Sequence, residues 1–142
     1  MYDLRQINQP VVTLSGHNRA ISYAAYSKDS ELLTASTDNT LRLWNVVSGE
    51  TKRVLSGHVN QKHFVGLALE DEWVAVGSET NELFVYNKSV NSPIHQYSFD
   101  EGEAGGQTSG GSHFISATCW KPRSNIILCA SSDGNLRVLS LD

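Results

Sequence analysis

The stretch Leu33-Thr-Ala-Ser-Thr-Asp38-Asn-Thr-Leu-Arg-Leu-Trp44 returns near the C-terminus as Leu128-Cys-Ala-Ser-Ser-Asp133-Gly-Asn-Leu-Arg-Val-Leu139, with six identities in twelve positions. Each copy is an apolar run, a polar turn and a second, alternating run, the pattern of a β-hairpin. Working outward, Tyr2-Asp3, Trp44-Asn45 and Tyr86-Asn87 each place an aromatic before a short polar residue and lie 42 and 42 residues apart. Gly16-His17 and Gly57-His58 are separated by 41 residues. The third hairpin copy follows the second by 53 residues, and the surplus is the segment DEGEAGGQTSGG at 100–111. Rich in Gly and carrying three acidic residues, that segment reads as a flexible loop.

Within the first repeat, residues 21–26, 31–36, 40–46 and 52–55 are expected strands, separated by the turn residues Lys28-Asp29-Ser30 and Thr37-Asp38-Asn39. The same frame gives 63–69, 73–78, 82–87 and 94–99 in the second repeat, and 114–120, 125–131 and 135–141 in the third. A period near 42, four strands and a Gly-His start are the signature of a β-propeller blade. The expected fold is all-β: a partial propeller of about three four-stranded blades. A blade end at 1–15 precedes blades at about 16–55, 57–99 and 112–142, with the acidic loop at 100–111.

The chain has 142 residues, 39% hydrophobic and 18% charged, which excludes a disordered polymer. A closed propeller of four to eight blades at ~40–45 residues each needs more chain than this. Residues 11–14 are a candidate fourth strand for the last blade. Two apolar blade faces would still stay open, so the isolated chain is expected to self-associate. No apolar stretch reaches membrane-spanning length, and MYDLRQINQP has no signal-peptide core. A net charge of −4 is the wrong sign for a generic nucleic-acid binder. Neither a membrane nor a nucleic acid is an expected partner.

His17, Thr34 or Ser36, Asp38 and Trp44 can form one buried hydrogen-bond chain that locks the loop before the first strand onto its blade. The second repeat keeps His58 and Ser78 but has Thr80 and Tyr86 in place of Asp and Trp. The third keeps Ser131 and Asp133 and has Leu139. The first blade is therefore expected to be the best locked. His17, Ser36 and Asp38 also contain the residue types of a catalytic triad. The repeat frame already accounts for all three and no G-x-S-x-G elbow exists, so no catalytic residue is assigned. Cys119 and Cys129, nine residues apart, and His63, His95 and His113 have no metal-ligand spacing. No metal and no cofactor is expected, and the Gly-rich loop lacks the Lys-Ser/Thr ending of a phosphate loop.

Surface recognition remains. The first strand of a blade lines the central channel, so its opening residues ring the channel mouth. Those are Arg19, then Gln61 to Phe64, then His113 and Phe114. An aromatic beside basic and hydrogen-bonding groups suits a short peptide with an apolar anchor and acidic flanks. The other reading is that Phe64 plugs the channel wall.

The segments GHNRAISYAAY, TASTDNTLRLWN, GHVNQKHFVGLAL, GSETNELFVY and FISATCWKPRSN resemble the C-terminal WD-repeat region of the constitutive photomorphogenesis E3 ubiquitin ligases. They are similar also to their partner family, the suppressors of phytochrome A. The short link between Trp44 and Gly57 leans towards the ligase. The resemblance implies a substrate receptor that binds Val-Pro peptides of transcription factors and photoreceptors for ubiquitination, in the nucleus and cytoplasm. It places the family's Phe contact on Phe64, an acidic contact on Gln61 and a Lys on Arg19. Arg for Lys keeps the charge with a different geometry, and Gln for Glu removes one. Tyr2-Asp3-Leu4-Arg5 resembles the degenerate box by which some WD-repeat proteins dock on cullin-four adaptor complexes; a plain strand end is the other reading. A scaffold without peptide recognition is the alternative function. The ligase family's RING, a zinc-binding domain, is not encoded in this chain, so the chain itself is not expected to be an enzyme.

Overall fold

A computed structural model describes residues 2–3, 6–28, 30–99 and 113–141. Thirteen strands and no helix occur among them. Strands β1 (Tyr2–Asp3) and β2 (Gln6–Pro10) pair with each other. Three antiparallel sheets follow in chain order. The first holds β3 (Ile21–Lys28), β4 (Glu31–Ser36), β5 (Thr40–Asn45) and β6 (Thr51–Ser56). The second holds β7 (Leu67–Glu70), β8 (Trp73–Gly77), β9 (Glu82–Asn87) and β10 (His95–Ser98). The third holds β11 (Ile115–Trp120), β12 (Ile126–Ser131) and β13 (Leu136–Ser140).

Each sheet is a meander, as tight polar turns dictate. The β4–β5, β8–β9 and β12–β13 turns carry Asn39, Asn81 and Gly134 at one equivalent position, all at positive φ (66°, 56° and 92°). Asn and Gly are the residues that adopt this left-handed backbone at least cost. The repeated S-x-D/T-N/G pattern is therefore the turn itself.

Strand periodicity assigns the two cores. In β8, Val74 and Val76 face the first blade and Ala75 faces the third; in β9, Phe84 and Tyr86 face the first, Leu83 and Val85 the third. The first core adds Leu33, Ala35, Leu41, Leu43 and Leu55, and the second adds Ile115, Ile127 and Cys129. The middle blade is thus buried on both faces, and its apolar strands are the expected consequence. Burial also pushes the Cys129 thiol up to about 12, leaving it a small hydrophobe.

The middle and last blades meet at their first strands. Gly66 N–H donates to Ile115 O at 3.1 Å, and Ile115 N–H donates to Ser78 O at 3.2 Å. A Cβ at Gly66 would lie 2.4 Å from the Thr118 nitrogen, so only glycine fits this approach. At the opposite end of the blades, the buried Lys88 ammonium donates to Ser27 Oγ and Asp71 O, and Lys28 pairs with Glu72. These polar contacts join the first two blades where the apolar core ends.

Three expectations change. Residues 11–14 form no strand and do not complete the last blade, which has three strands; β2 ends at Pro10 and pairs only with β1. The first strand of the middle blade begins at Leu67, not residue 63: the His63 N–H goes to the Glu79 carboxylate and the Gly66 N–H to Ile115 O of the last blade. Two sheets have four strands, as expected. The loop at 100–111 and the Leu4-Arg5 half of the docking box lie outside the described residues.

Candidate functional site

The locking chain forms in the first blade, and of the two hydroxyls offered it uses Thr34 rather than Ser36. His17 Nδ1 donates to Asp38 Oδ2 at 2.9 Å, and the carboxylate thereby leaves Nε2 as an acceptor. Thr34 Oγ1, 2.7 Å away, donates to Nε2 and accepts the Trp44 indole N–H at 2.8 Å. Ser36 is not a link. Its hydroxyl donates to Arg19 O at 3.3 Å and accepts the Asp38 N–H at 3.2 Å. The register explains this: Thr34 stands opposite Arg42, diagonal to Trp44, whereas Ser36 stands opposite Thr40 at the turn.

Burial raises the Asp38 carboxyl, but hydrogen bonds from Thr40, the Asn18 amide and His17 outweigh it and hold it at about 2. A carboxylate this committed to fixed donors is a structural anchor. The three triad types are not aligned for catalysis, since the hydroxyl on His17 belongs to Thr34 and is tied to the buried Trp44 indole.

In the middle blade the chain shortens. His58 Nδ1 accepts directly from the Tyr86 hydroxyl at 3.1 Å, and that oxygen accepts the His58 N–H at 3.2 Å. Burial pulls the His58 imidazole down to about 4 and pushes the Tyr86 phenol up to about 12. Ser78 bonds instead to the next residue and the turn; it accepts the Val59 N–H at 3.0 Å and meets Thr80 Oγ1 at 2.8 Å. In the last blade Leu139 packs against the apolar core in the aromatic's place.

The rim residues stand at the openings of first strands. Arg19 is exposed, two residues before β3, and its carbonyl is held by Ser36. Gln61 is exposed, and its N–H donates to Glu79 Oε1 at 2.8 Å. Phe64 is 60% exposed. Phe114, expected to be its equivalent, is half-buried against the first core and stacks on His63 at 4.3 Å with rings 12° apart. Of this pair Phe64 is the more exposed, and His63, its neighbour in sequence, carries the stack on Phe114.

Glu79 was not legible as a site residue. One of its carboxylate oxygens accepts the N–H groups of Gln61, Lys62 and His63 at 2.8, 2.5 and 2.7 Å. Burial raises its carboxyl, and the three N–H donors more than reverse that, lowering it from the usual range. The signal available in sequence was positional: Thr37, Glu79 and Ser132 are equivalent, and all carry a side-chain oxygen.

A cavity of about 380 Å³ lies by the β7–β8 turn, lined among others by Trp73, Trp120, Glu70 and Arg123, and none of Arg19, Gln61 and Phe64 lines it. Among the described residues no group of three His, Cys, Asp or Glu side chains is placed to hold a metal ion.

The model of the WD domain, G-beta repeat, matches residues 8–45 and 106–140 of the chain. The chain belongs to the WD40 family. As a WD40 protein it is 45% identical over 99% of its length to E3 ubiquitin-protein ligase COP1 of Arabidopsis thaliana and 46% identical over 99% to that of Pisum sativum. It is also 40% identical over 99% of its length to Protein SPA1-RELATED 3 of Arabidopsis thaliana. The chain spans 21%, 21% and 18% of the length of these relatives. Among solved structures, the computationally designed Ika8 protein superposes with a TM-score of 0.69 at 19% identity, covering 90% of this chain and 35% of that one. That likeness concerns the fold alone.

Proposed function

We propose that this WD40 region is the substrate-recognition part of an E3 ubiquitin ligase complex and that its rim binds Val-Pro peptides. The likeness to COP1 supports the class, and the exposure of Phe64 carries the site. A large aromatic held out in water on a fastened loop needs an apolar partner, and a proline ring supplies one with little conformational freedom to lose. Arg19, which corresponds in the first repeat to His63 in the second, would draw an acidic flank. Gln61 offers a neutral amide where the resembled family has a carboxylate, which favours less basic flanks. Transcription factors and photoreceptors of light signalling are the proposed partners, with a cullin-four adaptor complex as a further one. The place of action would be the nucleus and cytoplasm.

The chain's part is recognition without chemistry. The bound segment is extended, its apolar core lies on Phe64, and transfer of ubiquitin falls to other components. The test is fluorescence anisotropy with a labelled Val-Pro peptide carrying Glu flanks against its scrambled version. Saturable binding of the first alone supports the reading. Equal binding of both returns the chain to the scaffold alternative.

A further inference from the structure

Six consecutive backbone N–H groups, from His58 to His63, are each taken by a side-chain oxygen. The acceptors are Tyr86 for His58, Ser78 for Val59, Asn39 for Asn60, and Glu79 for Gln61, Lys62 and His63. None of these N–H groups belongs to a strand ladder. The backbone is closed from the other side as well: Glu79 N–H donates to Val59 O at 2.8 Å and Asn39 N–H to Asn60 O at 3.3 Å. Loops ordinarily satisfy their amides with water and move accordingly. This one is strung on side chains of two blades.

We infer that Glu79 is a positioning residue of the peptide site, fixing the loop from which Phe64 projects. The inference rests on the peptide reading given above. Its own content is that a group without peptide contact sets affinity by paying the loop's ordering cost in advance. In the first blade Asp38 accepts one backbone amide of the corresponding loop, the Asn18 N–H at 3.0 Å, beside the His17 ring. In the middle blade Thr80 stands at the Asp38 position, and the carboxylate lies one residue earlier on a longer side chain, within reach of three amides. A charged acceptor makes each bond stronger than a neutral one would. The third N–H in the set is His63, whose ring stacks on Phe114 and whose next neighbour is Phe64. Releasing Glu79 would thus loosen both the stack and the exposed ring.

The experiment compares the unaltered 142-residue chain with Glu79→Ala, Glu79→Gln and Phe64→Ala. It measures amide exchange and amide proton shifts at 61–63 by NMR, and affinity for the labelled Val-Pro peptide. Glu79→Ala is expected to speed exchange at these amides and weaken the peptide at least about tenfold. Glu79→Gln, which keeps an acceptor oxygen, is expected to shift the three protons upfield and weaken the peptide only about threefold. Phe64→Ala is expected to abolish binding with amide protection kept. Protected amides in Glu79→Ala would overturn the inference. So would freed amides with unchanged affinity while Phe64→Ala still abolishes binding, a result that leaves the peptide reading standing. No binding by the unaltered, folded chain would overturn the peptide reading and this one with it.

Discussion

His17 and Trp44 meet at a single oxygen, Thr34 Oγ1, which lies 2.7 Å from the imidazole Nε2 and 2.8 Å from the indole Nε1. A hydroxyl is the one small group able to donate to the first and accept from the second at once. One atom of the blade thereby serves the imidazole of the loop before β3 and the buried indole together.

Thr34→Val keeps the shape and removes both bonds, leaving a buried indole N–H unpaired. It is expected to cost about 2–3 kcal/mol of stability in chemical denaturation. Ser36→Ala removes two longer bonds to backbone and is expected to cost about 1 kcal/mol. Equal losses would return Ser36 to the chain.

Acid should weaken the blade before it reaches the carboxylates. His58 has a folded pKa of about 4 against the ordinary imidazole value of 6.5, and its Nε2 has no hydrogen-bond partner among the described residues. The unfolded chain binds the proton first, so stability is full above pH 6.5 and falls as pH drops towards 4. The whole window is worth about 3 kcal/mol. Thermal melts at intervals across it should show Tm declining, and His58→Gln should flatten the decline. Asp38, held at about 2, adds its own loss as pH falls from the ordinary aspartate value of 3.8 towards 2.

Gly66→Ala tests the close approach of the last two blades. Its Cβ would fall 2.4–2.7 Å from Thr118 and Ala117 backbone atoms, which cannot swing aside as a side chain can. The expected cost is about 2 kcal/mol or more. Gly134→Ala meets no neighbour within 4 Å and is strained only by its positive φ, so about 1 kcal/mol is expected.

The outer face of the last blade carries Leu136 and Val138, 60% and 63% exposed. The 142-residue chain is expected to show concentration-dependent self-association in sedimentation velocity, reduced by Leu136→Lys with Val138→Lys. A monomer at every concentration would contradict this.

The hairpins were legible because their information is local. Alternation in β8 and β9 and the turn residues Asn39 and Asn81 state strand, turn and face directly. The start of β7 was not, because the His63 amide goes to Glu79 and the Gly66 amide to Ile115 O of the last blade, and such distant bonds leave no periodicity. Thr34 and Ser36 share a face, so alternation alone could not choose between them; the hairpin register could. The difference between Phe64 and Phe114 was beyond sequence too. Equivalent in the repeat, they are separated by what packs on them: His63 covers Phe114 and leaves Phe64 in water.

The central claim is that Phe64 anchors a Val-Pro peptide. Its most direct test is isothermal titration of a Glu-flanked Val-Pro peptide into the folded chain and into Phe64→Ala, with circular dichroism showing both equally folded. The account predicts that the unaltered chain binds and that Phe64→Ala loses about 2 kcal/mol or more of binding free energy. Unchanged affinity in Phe64→Ala would contradict it.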